Sequence, residues 1–566
     1  MKRRGILAGG AAAAAAAAVG GAAWLYFGTR SSTTVRGGPF RHYPFDPVAA
    51  ENFQQKLFIP LVSPNAGGPF GVLDVTGSLK LRATAASFPL LPGPTPQAAK
   101  APSPFLLYQT EHAGQPYQNP ILRIESGARF TASLENALTE PTIIHWHGLH
   151  TPAVMDGHPR NTIAPGARYD YDFTVRNRGG TYWYHTHAHE LTAKQAYSGL
   201  ASFFLVDDDD QRKLAVALDL KLGVTDLPLV IQDKQFDANG ALRYRPNMQE
   251  SMMGWLGDIV LANLTPNAVH TVTPRTYRLR LLNGSNARIY RLAFVKGEIS
   301  LPFAVIGTDG GLIERPETVT EAWLAPGERL DVLFDAAQAH PGDTVFLKSL
   351  AFDPMENEGG MGGMGGMGGT SNQSTGHNMG RSVPGSGTSR LEMGAAFNVL
   401  KLSVAAGDRG VGTLPNVLSV IKPIRTVGAF ERKIELSMDH MRFLINGRTF
   451  RMDEIAFEVQ RGSVEIWSIR NPAVGMPHPL HIHGFSFQVI ERSNSPPQWA
   501  ATARFGNGRA VSDLGWKDTV LVWPGETVRI AIDFAHDFPG SQTYVFHCHN
   551  LEHEDAGMMI NFRVQA

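Results

Sequence analysis

Cysteine is scarce in this sequence. The 566 residues contain one cysteine, so an internal disulfide framework is excluded. An excess of basic charge is also missing, because 51 Lys and Arg residues are balanced by 51 Asp and Glu residues. Nucleic acid is therefore not an expected partner. Glycine (59) and proline (37) are abundant, which is typical of a turn-rich, all-β chain.

The first 30 residues predict a secretory signal or an N-terminal anchor. A charged start precedes an apolar, alanine-rich run that ends at Phe27. This run is long enough to span a membrane, so we expect membrane association only if the segment stays uncleaved. The pair Arg3-Arg4 resembles a twin-arginine signal, which exports folded proteins. We therefore expect a periplasmic or otherwise extracytoplasmic location.

A Pro-Gly turn followed by an alternating strand occurs three times in the chain. The copies begin at Ala164, Ala325 and Trp523 and are separated by roughly a domain length. Three copies predict three related β-sandwich units. The predicted units span residues 40–208, 209–405 and 430–566.

The second predicted unit differs from its neighbours. It follows the acidic run 207–210, which we interpret as a solvated linker, and it has no His-x-His motif, so we expect a spacer. A Met- and Gly-rich segment, residues 355–393, is predicted to be a mobile hairpin loop. Its thioethers are soft ligands suited to collecting Cu(I), and the alternative is a flexible loop with incidental methionines. The methionines in question are Met355, Met361, Met364 and Met367.

The most informative stretch lies in the last thirty residues. Cys548 is flanked by His547 and His549, and His553 and Met558 follow. A Cys/His/His site with a weak axial Met is the ligand set of a blue copper centre, so one more histidine is needed. The stretch before Cys548 is predicted to be a strand, which turns His547 and His549 to one face and Cys548 to the other. Taken singly, a buried inert cysteine and a polar strand face are the alternatives.

Further histidine motifs occur in the first and third units. The first unit has two His-x-His pairs, and the third has a His-x2-His-x-His run. His150, His158 and His189 flank the motifs without matching their spacing and are not predicted to be ligands. The motif histidines are His145, His147, His185, His187, His478, His481 and His483.

These four motifs together resemble the four signatures of the multicopper oxidases. The resemblance covers the chain from about residue 40 onward. It implies three cupredoxin-like Greek-key β-sandwich domains and four copper ions, with a type-1 copper in the third domain and a trinuclear cluster between the first and third. The implied type-1 ligands are His478, Cys548 and His553, with Met558 axial. The implied type-2 ligands are His145 and His481, and the implied type-3 ligands are His147, His185, His187, His483, His547 and His549.

The same resemblance implies an oxidoreductase that couples four one-electron oxidations of a donor to the reduction of O2 to water. Asp156 and Glu554 resemble the acids that supply protons in the family, and the alternative for Asp156 is a turn residue before Gly157. The predicted donor is Cu(I), in copper tolerance, or a phenol. A phenol-oxidising laccase without a copper-homeostasis role, a non-catalytic copper-binding protein and a copper-free scaffold are the alternatives. We expect a monomer.

Three more methionines bear on the choice of donor. Met438, Met441 and Met452 resemble positions at which the copper-efflux branch of the family admits Cu(I). The alternative is that they are core residues of strands. Phe443 and Arg451 stand where carboxylates would favour a cation, which departs from that branch.

Overall fold

A computed structural model describes residues 53–59, 71–88, 90–91, 103–237, 239–356, 389–410, 412–440 and 442–566. These residues belong to one compact unit, Phe45–Ala566. The predicted signal and the methionines Met361, Met364, Met367 and Met441 lie outside the described residues. In the described ranges, no helix has both the length and the apolar character needed to cross a membrane.

The first part of the chain forms two five-stranded sheets. Their orders are β2-β6-β11-β10-β8 and β5-β4-β3-β7-β9. The ten strands are β2 (Val72–Asp74), β3 (Ser78–Phe88), β4 (Ser103–His112), β5 (Gln115–Gln118), β6 (Ile121–Glu125), β7 (Arg129–Asn136), β8 (Ile144–His147), β9 (Arg168–Thr174), β10 (Gly180–Thr186) and β11 (Ala201–Asp207). The preceding strand, β1 (Gln55–Lys56), belongs to neither sheet.

The middle part forms a second pair of sheets. The strands are β12 (Asp226–Phe236), β13 (Leu242–Arg243), β14 (Ile259–Ala262), β15 (Thr265–Pro266), β16 (Ala268–Val272), β17 (Thr276–Asn283), β18 (Tyr290–Lys296), β19 (Ile299–Leu301), β20 (Phe303–Thr308), β21 (Gly311–Val319), β22 (Ala322–Leu324), β23 (Arg329–Asp335), β24 (Thr344–Ser349) and β25 (Phe397–Val404). One sheet has the order β1-β16-β25-β24-β18-β19, and the other β15-β14-β12-β17-β23-β20-β21. Strand β22 also pairs with β18, and β13 with β12.

The last part forms a third pair of sheets. The strands are β26 (Phe430–Asp439), β27 (Arg442–Ile445), β28 (Ile455–Val459), β29 (Val464–Arg470), β30 (His478–Ile482), β31 (Phe487–Ser493), β32 (Thr519–Val522), β33 (Thr527–Asp533), β34 (Gln542–Cys548) and β35 (Met559–Val564). Their orders are β27-β26-β29-β33-β31 and β28-β35-β34-β30-β32.

Helices are short and lie between strands. The described α-helices are α1 (Thr192–Tyr197), α2 (Asp209–Leu218), α3 (Met248–Met253), α4 (Pro497–Ala500) and α5 (Leu551–Asp555). Short 3-10 turns cover Ala153–Met155, Pro159–Asn161, Ala336–Gln338, Gly506–Gly508 and Val511–Asp513.

Each pair of sheets encloses its own apolar core. The largest buried clusters are built around Trp146 in the first pair, Phe334 in the second and Trp467 in the third. Burial of alternate residues on facing sheets is the pattern of a β-sandwich, as in β9, where Tyr171 and Phe173 point inward. The predicted all-β class is confirmed.

Two details of the chain path differ from the sequence-based interpretation. Strand β1 pairs in parallel with β16 of the second unit, although it lies within the range 40–208 that is predicted for the first unit. Its neighbours Leu57 and Ile59 are buried in the core of that second unit. The acidic run 207–210 is not a linker, because Asp208 accepts from the backbone N–H of Gln211 and caps α2.

The Met- and Gly-rich segment connects an antiparallel pair of strands, β24 and β25, as a hairpin connection requires. Residues 357–388 of this segment lie outside the described part of the chain.

Candidate metal centre

The strand that ends at Cys548 brings two different sets of side chains together. Cys548 is fully buried in the core of the third unit, in the same apolar cluster as Met558. Its Sγ lies 3.5 Å from His478 Nδ1 and 3.6 Å from His553 Nδ1. This places a thiol, two imidazole nitrogens and a nearby thioether side chain in one buried pocket, as a blue copper site requires.

A backbone carbonyl decides which nitrogen of His553 faces the thiol. His553 Nε2 donates to the carbonyl of Met252, at 2.9 Å. This leaves Nδ1 as the unprotonated nitrogen toward Cys548 Sγ, and burial lowers the pKa of His553 to about 3. The Phe443 ring packs on the His553 ring at a centroid distance of 4.0 Å and is itself buried. The imidazole is therefore held neutral and fixed in orientation.

The Cys548 thiol is held protonated by the protein alone. Burial raises its pKa well above the usual value. A bound metal ion removes that proton, since the thiolate is the ligand form.

Eight histidines form a second, larger group on the other face of the same strand. Four come from β8 and β10 or just after, and four from β30 and β34 or just after. The strand pairs place them opposite one another, with His145 beside His185 and His481 beside His547. The group contains two triads that share no residue, His147 with His185 and His549, and His187 with His483 and His547. In a third set, His145 and His481 lie together with His147.

The nitrogens at the centre of this group point at one another without a proton between them. His145 Nδ1 donates to the Asp156 carbonyl at 2.7 Å, and His481 Nδ1 donates to the Asp518 carbonyl at 2.8 Å. Their Nε2 atoms face each other at 3.3 Å. Burial lowers the pKa of both imidazoles, so the second nitrogens are bare lone pairs. Two facing lone pairs repel unless a cation lies between them.

The same arrangement recurs in one of the triads. His483 Nδ1 donates to the Asp156 carboxylate at 2.7 Å, and His547 Nδ1 donates to the Cys548 carbonyl at 3.1 Å. Their Nε2 atoms lie 3.1 Å apart. Neutral imidazole is a preferred ligand of copper. The donor set therefore fits several copper ions, and both the lone pairs and the hydrogen-bonded second nitrogens point to metal binding.

The two predicted acids both contact the histidine group. Asp156 is fully buried, and burial raises its pKa well above the usual value. Glu554 Oε2 lies 3.2 Å from His547 Nδ1, and Glu554 Oε1 lies 3.5 Å from His187 Nδ1. Burial raises the pKa of Glu554, but the neighbouring imidazoles outweigh it and lower this pKa to about 2. The pKa values of the two acids are therefore shifted in opposite directions, although both acids touch the same histidine group.

The backbone of Asp156 lies in a tight turn, as the alternative interpretation of this residue predicts, but its side chain contacts the histidine group. Gly157 follows with a φ of +88°, and a Cβ there would lie 2.0 Å from the Ile144 carbonyl oxygen. Only glycine fits this approach. The tight turn directs the Asp156 side chain to His483.

The methionines considered as donor-copper ligands lie in different places. Met438 is 50% exposed and is the cross-strand partner of Phe443, which covers His553. Met452 packs beside Val545 and Met559, in a cluster separate from the one that holds Cys548. Met355 packs against the aromatic cluster that includes Trp323 and Trp523.

Several residues of the centre were missed by the sequence reasoning. Asp518 accepts from His147 Nε2 at 3.0 Å, and the carbonyl of Met252 fixes His553. Burial raises the pKa of Asp518, but Arg329 outweighs it and holds the pKa well below the usual range. The only signal was the oppositely charged pair Lys517-Asp518 at the head of a buried strand.

Comparison with known proteins agrees with this geometry. Profiles described as multicopper oxidase match residues 111–211 and 426–566, which contain all ten motif histidines and Cys548. The crystal structure of McoA multicopper oxidase from the hyperthermophile Aquifex aeolicus is 37% identical, with a TM-score of 0.76, over 91% of this chain and all of that one.

Curated relatives extend the comparison along the chain. The multicopper oxidase mco of Staphylococcus epidermidis is 30% identical over 449 residues, which are 79% of this chain and 81% of that protein. A laccase of Bacillus stratosphericus is 32% identical over 448 residues, 74% of this chain and 79% of that protein. The predicted cupredoxin-like fold and enzyme class are confirmed. The chain belongs to the multicopper oxidase family, and it is a copper-dependent oxidoreductase that uses O2 as electron acceptor.

Proposed function

We propose that the protein takes four electrons, one at a time, from a small donor and uses them to reduce one O2 to two waters. Four copper ions supply the one-electron redox chemistry when bound. The observation that carries this proposal is the pair of sites on one strand: a thiol between two imidazoles on one face, and facing unprotonated imidazoles on the other.

We assign each proposed ligand to a copper ion according to the side chains with which it lies in contact. His478, Cys548 and His553 would hold the type-1 copper, with Met558 as a further, weak ligand. His145 and His481 hold the type-2 copper. The type-3 pair takes His147, His185 and His549 on one ion and His187, His483 and His547 on the other, following the triads.

The chain itself provides the connection between the sites. Cys548 is covalently bonded through the backbone to His547 and His549, which belong to the two different triads. An electron that enters beside His553 therefore has a short through-bond route to each triad. Phe443 and the surrounding apolar core exclude water from the thiol side.

Asp156 and Glu554 are proposed to handle the protons that O2 reduction consumes. Asp156, whose pKa is raised, is suited to hold a proton beside His483. Glu554 is held ionised between His187 and His547, and from this position its carboxylate can relay protons beside those rings. Positioned carboxyl groups are common acid–base catalysts.

The proposed donor is Cu(I), with phenols as the second class. Met438 supports Cu(I), because its exposed thioether lies opposite the ring that covers His553. Phe443, which stands where a carboxylate would favour a cation, supports phenols, because an apolar floor beside His553 suits an aromatic ring. A role in copper tolerance follows if Cu(I) is the better donor.

The proposal of catalysis is tested on the purified, copper-loaded protein. We expect close to four copper ions per chain, a blue absorption, and O2 consumption at one O2 per four electrons donated, without hydrogen peroxide. If copper binds but no O2 is consumed with either class of donor, the protein is a non-catalytic copper-binding protein instead. Absence of copper after loading would leave a copper-free scaffold.

The donor is tested by deleting residues 359–380. If the methionines there gather Cu(I), the ratio of kcat/KM for Cu(I) to kcat/KM for a phenol falls in the deletion variant. The melting temperature and copper content serve as controls, since loop-closure entropy changes slowly with loop length. An unchanged ratio favours a general laccase.

Export by the twin-arginine route is also proposed, from the residues Arg3-Arg4 and the apolar run after them. Replacing both arginines by lysine keeps the charge and is expected to leave the precursor inside the cell. Fractionation of cells that express each form measures this. Equal export of both forms would contradict the route.

A further inference from the structure

The second unit contributes no residue to the histidine groups found in the described part of the chain, yet it reaches the centre. Its repeated turn, Ala325-Pro326-Gly327, leads into β23, whose first residue is Arg329. A Cβ on Gly327 would lie 2.9 Å from His549 Cγ, so the backbone of the turn lies against that ring. The second unit therefore forms one wall of the histidine group.

Arg329 is fully buried and all five of its guanidinium N–H groups are used. Nε donates to the Thr181 carbonyl at 3.0 Å, Nη1 donates to the Gly327 carbonyl at 2.8 Å, and Nη2 donates to the Asp309 carbonyl at 3.1 Å. The remaining two N–H groups donate to the two carboxylate oxygens of Asp518, with Nη1 to Oδ1 at 2.8 Å. Such a bidentate ion pair fixes the plane of the carboxylate. One side chain of the second unit thus joins backbone of the first to a carboxylate of the third.

Asp518 in turn fixes His147. Its Oδ1 accepts from His147 Nε2 at 3.0 Å, so the proton of His147 is on Nε2 and Nδ1 is free. His147 Nδ1 faces His185 Nε2 at 3.3 Å. His147 is unusual in this group, because the paired histidines around it, such as His145 and His483, present Nε2 to the centre and bind through Nδ1 to their neighbours.

Space for the ion pair is built into the first histidine motif. A Cβ on Gly148 would lie 2.5 Å from Asp518 Oδ2 and 2.8 Å from Arg329 Nη2. Gly148 also has a φ of +85°, which favours glycine. The glycine after His147 is therefore needed both for the turn and for the pair that orients His147.

We propose that Arg329 is a positioning residue for the trinuclear centre: it holds the Asp518 carboxylate so that His147 offers Nδ1, not Nε2, to the metal. The inference rests on the proposed copper ligation by the histidine group. The second unit then contributes to the centre without providing a ligand, because its residue Arg329 orients the ligand His147 through Asp518. Loss of an orienting partner of a metal-bound histidine commonly weakens metal affinity on the order of 10- to 100-fold.

The test is Arg329→Gln, compared with Arg278→Gln as its matched control. Arg278 is also buried in the second unit and paired with two acids, Asp331 and Asp226, in the same sheet. Both variants lose a buried ion pair, so both are expected to lose thermal stability. Only Arg329→Gln is expected to release histidine-bound copper on the order of 10- to 100-fold more readily to a chelator. The blue absorption of the Cys548 site is expected to stay, which shows that the third unit remains folded.

Two more variants keep the test decisive if Arg329→Gln does not fold. Arg329→Lys keeps the positive charge but cannot form the bidentate hydrogen bonds of the guanidinium. It is therefore expected to retain copper less well than the parent but better than Arg329→Gln. Asp518→Asn is expected to match Arg329→Gln, and the double variant is expected to lose no more than either single one, because both act through His147.

Three results would overturn the inference. The first is that Arg329→Gln retains copper as well as the parent, or, if that variant does not fold, that both Arg329→Lys and Asp518→Asn do so. The second is that Arg278→Gln loses as much copper as Arg329→Gln. The third is that the double variant loses the sum of the copper losses of the two single variants. A parent protein that holds no histidine-bound copper would instead refute the proposed function, so the two failures are distinguishable.

Discussion

The two faces of strand β34 hold sites that are built in different ways. On the thiol side, His478, Cys548, His553 and Met558 all belong to the third unit. On the histidine side, four imidazoles of the first unit meet four of the third. The thiol site is therefore a feature of one β-sandwich, whereas the histidine site exists only where two sandwiches meet.

The partners that orient the imidazoles differ in the same way. A backbone carbonyl holds His553, in apolar surroundings. On the histidine side several rings are also held by backbone carbonyls, but carboxylates hold His147 and His483, and the carboxylate at His147 is paired with Arg329. The thiol site therefore depends on the local fold, whereas the histidine site also depends on individual charged side chains. Substitutions are thus expected to separate the two sites cleanly.

The largest separation is expected from Cys548→Ser. The blue absorption and turnover are expected to vanish, because a thiolate–copper bond gives that colour and the chain has no other cysteine. Copper bound by the histidines is expected to remain, since those ligands lie on the opposite face. Absorption, electron paramagnetic resonance and copper content measure the three quantities. A blue, active variant would contradict the assignment of this site.

The next effect is expected on the histidine face alone. Asp156→Asn and Glu554→Gln keep the size of the side chain but replace a carboxyl group, which can exchange protons, by an amide, which cannot. Each is expected to lower kcat about 100-fold, within the usual range for acid–base groups. The blue absorption is expected to stay at the parental level in both variants. Copper content is expected to stay in Glu554→Gln, whereas Asp156→Asn also alters the partner that orients His483 and is expected to hold copper less tightly.

Asp555→Asn is the control for those two variants. Asp555 is the neighbour of Glu554 and is partly buried, but its oxygens accept from the backbone N–H groups of Thr192 and Ala193 and cap α1. Its replacement is expected to lower stability with little effect on the kcat of the folded enzyme. Unchanged turnover in both Asp156→Asn and Glu554→Gln would show that those acids are structural.

The sequence was sufficient for whatever depends on local spacing. The alternation in β34 placed Cys548 and the histidines on opposite faces, because side chains of a strand alternate whatever the rest of the fold does. The hairpin between β24 and β25 and the three repeated turns followed from turn residues in the same way.

Contacts between distant parts of the chain could not be found by the same reasoning. Asp518, Arg329 and the Met252 carbonyl act on histidines that lie far away in sequence, and no short-range periodicity marks such partners. Strand β1 was assigned to the wrong unit for a related reason, since two residues of strand have too little pattern to select a sheet. The role of the second unit was underestimated because its contribution is an orienting side chain and not a ligand.

Acid is expected to affect both faces of the metal-free protein. Burial lowers the pKa of His185, on the histidine side, and of His553, on the thiol side, to about 3. The unfolded chain takes up these protons near pH 6.5, so the stability from the neutral rings is present above that pH and is lost as the pH falls toward 3. For each such ring, the free energy of unfolding is expected to fall by about 2 kcal/mol between pH 7 and pH 5.

Copper is expected to suppress this pH dependence, because the metal competes with protons for the same nitrogens. Urea unfolding of the metal-free and loaded protein at pH 7 and pH 5 measures the difference. Equal pH dependence of the two forms would show that the metal does not occupy these imidazoles.

The smallest effect is expected from one methionine on the thiol side. Met438→Leu keeps volume and removes the thioether that stands opposite Phe443, the residue that covers His553. Met452→Leu, which alters a methionine packed against Val545 and Met559, is the control. If Cu(I) enters beside His553, only Met438→Leu is expected to lower kcat/KM for Cu(I), by a few-fold, because thioethers are weak ligands that act together. The rate with a phenol is expected to stay, since an aromatic donor gains nothing from the sulfur atom. A fall for both donors would indicate a change in packing around Phe443, and no fall for either would place the entry of Cu(I) away from Met438.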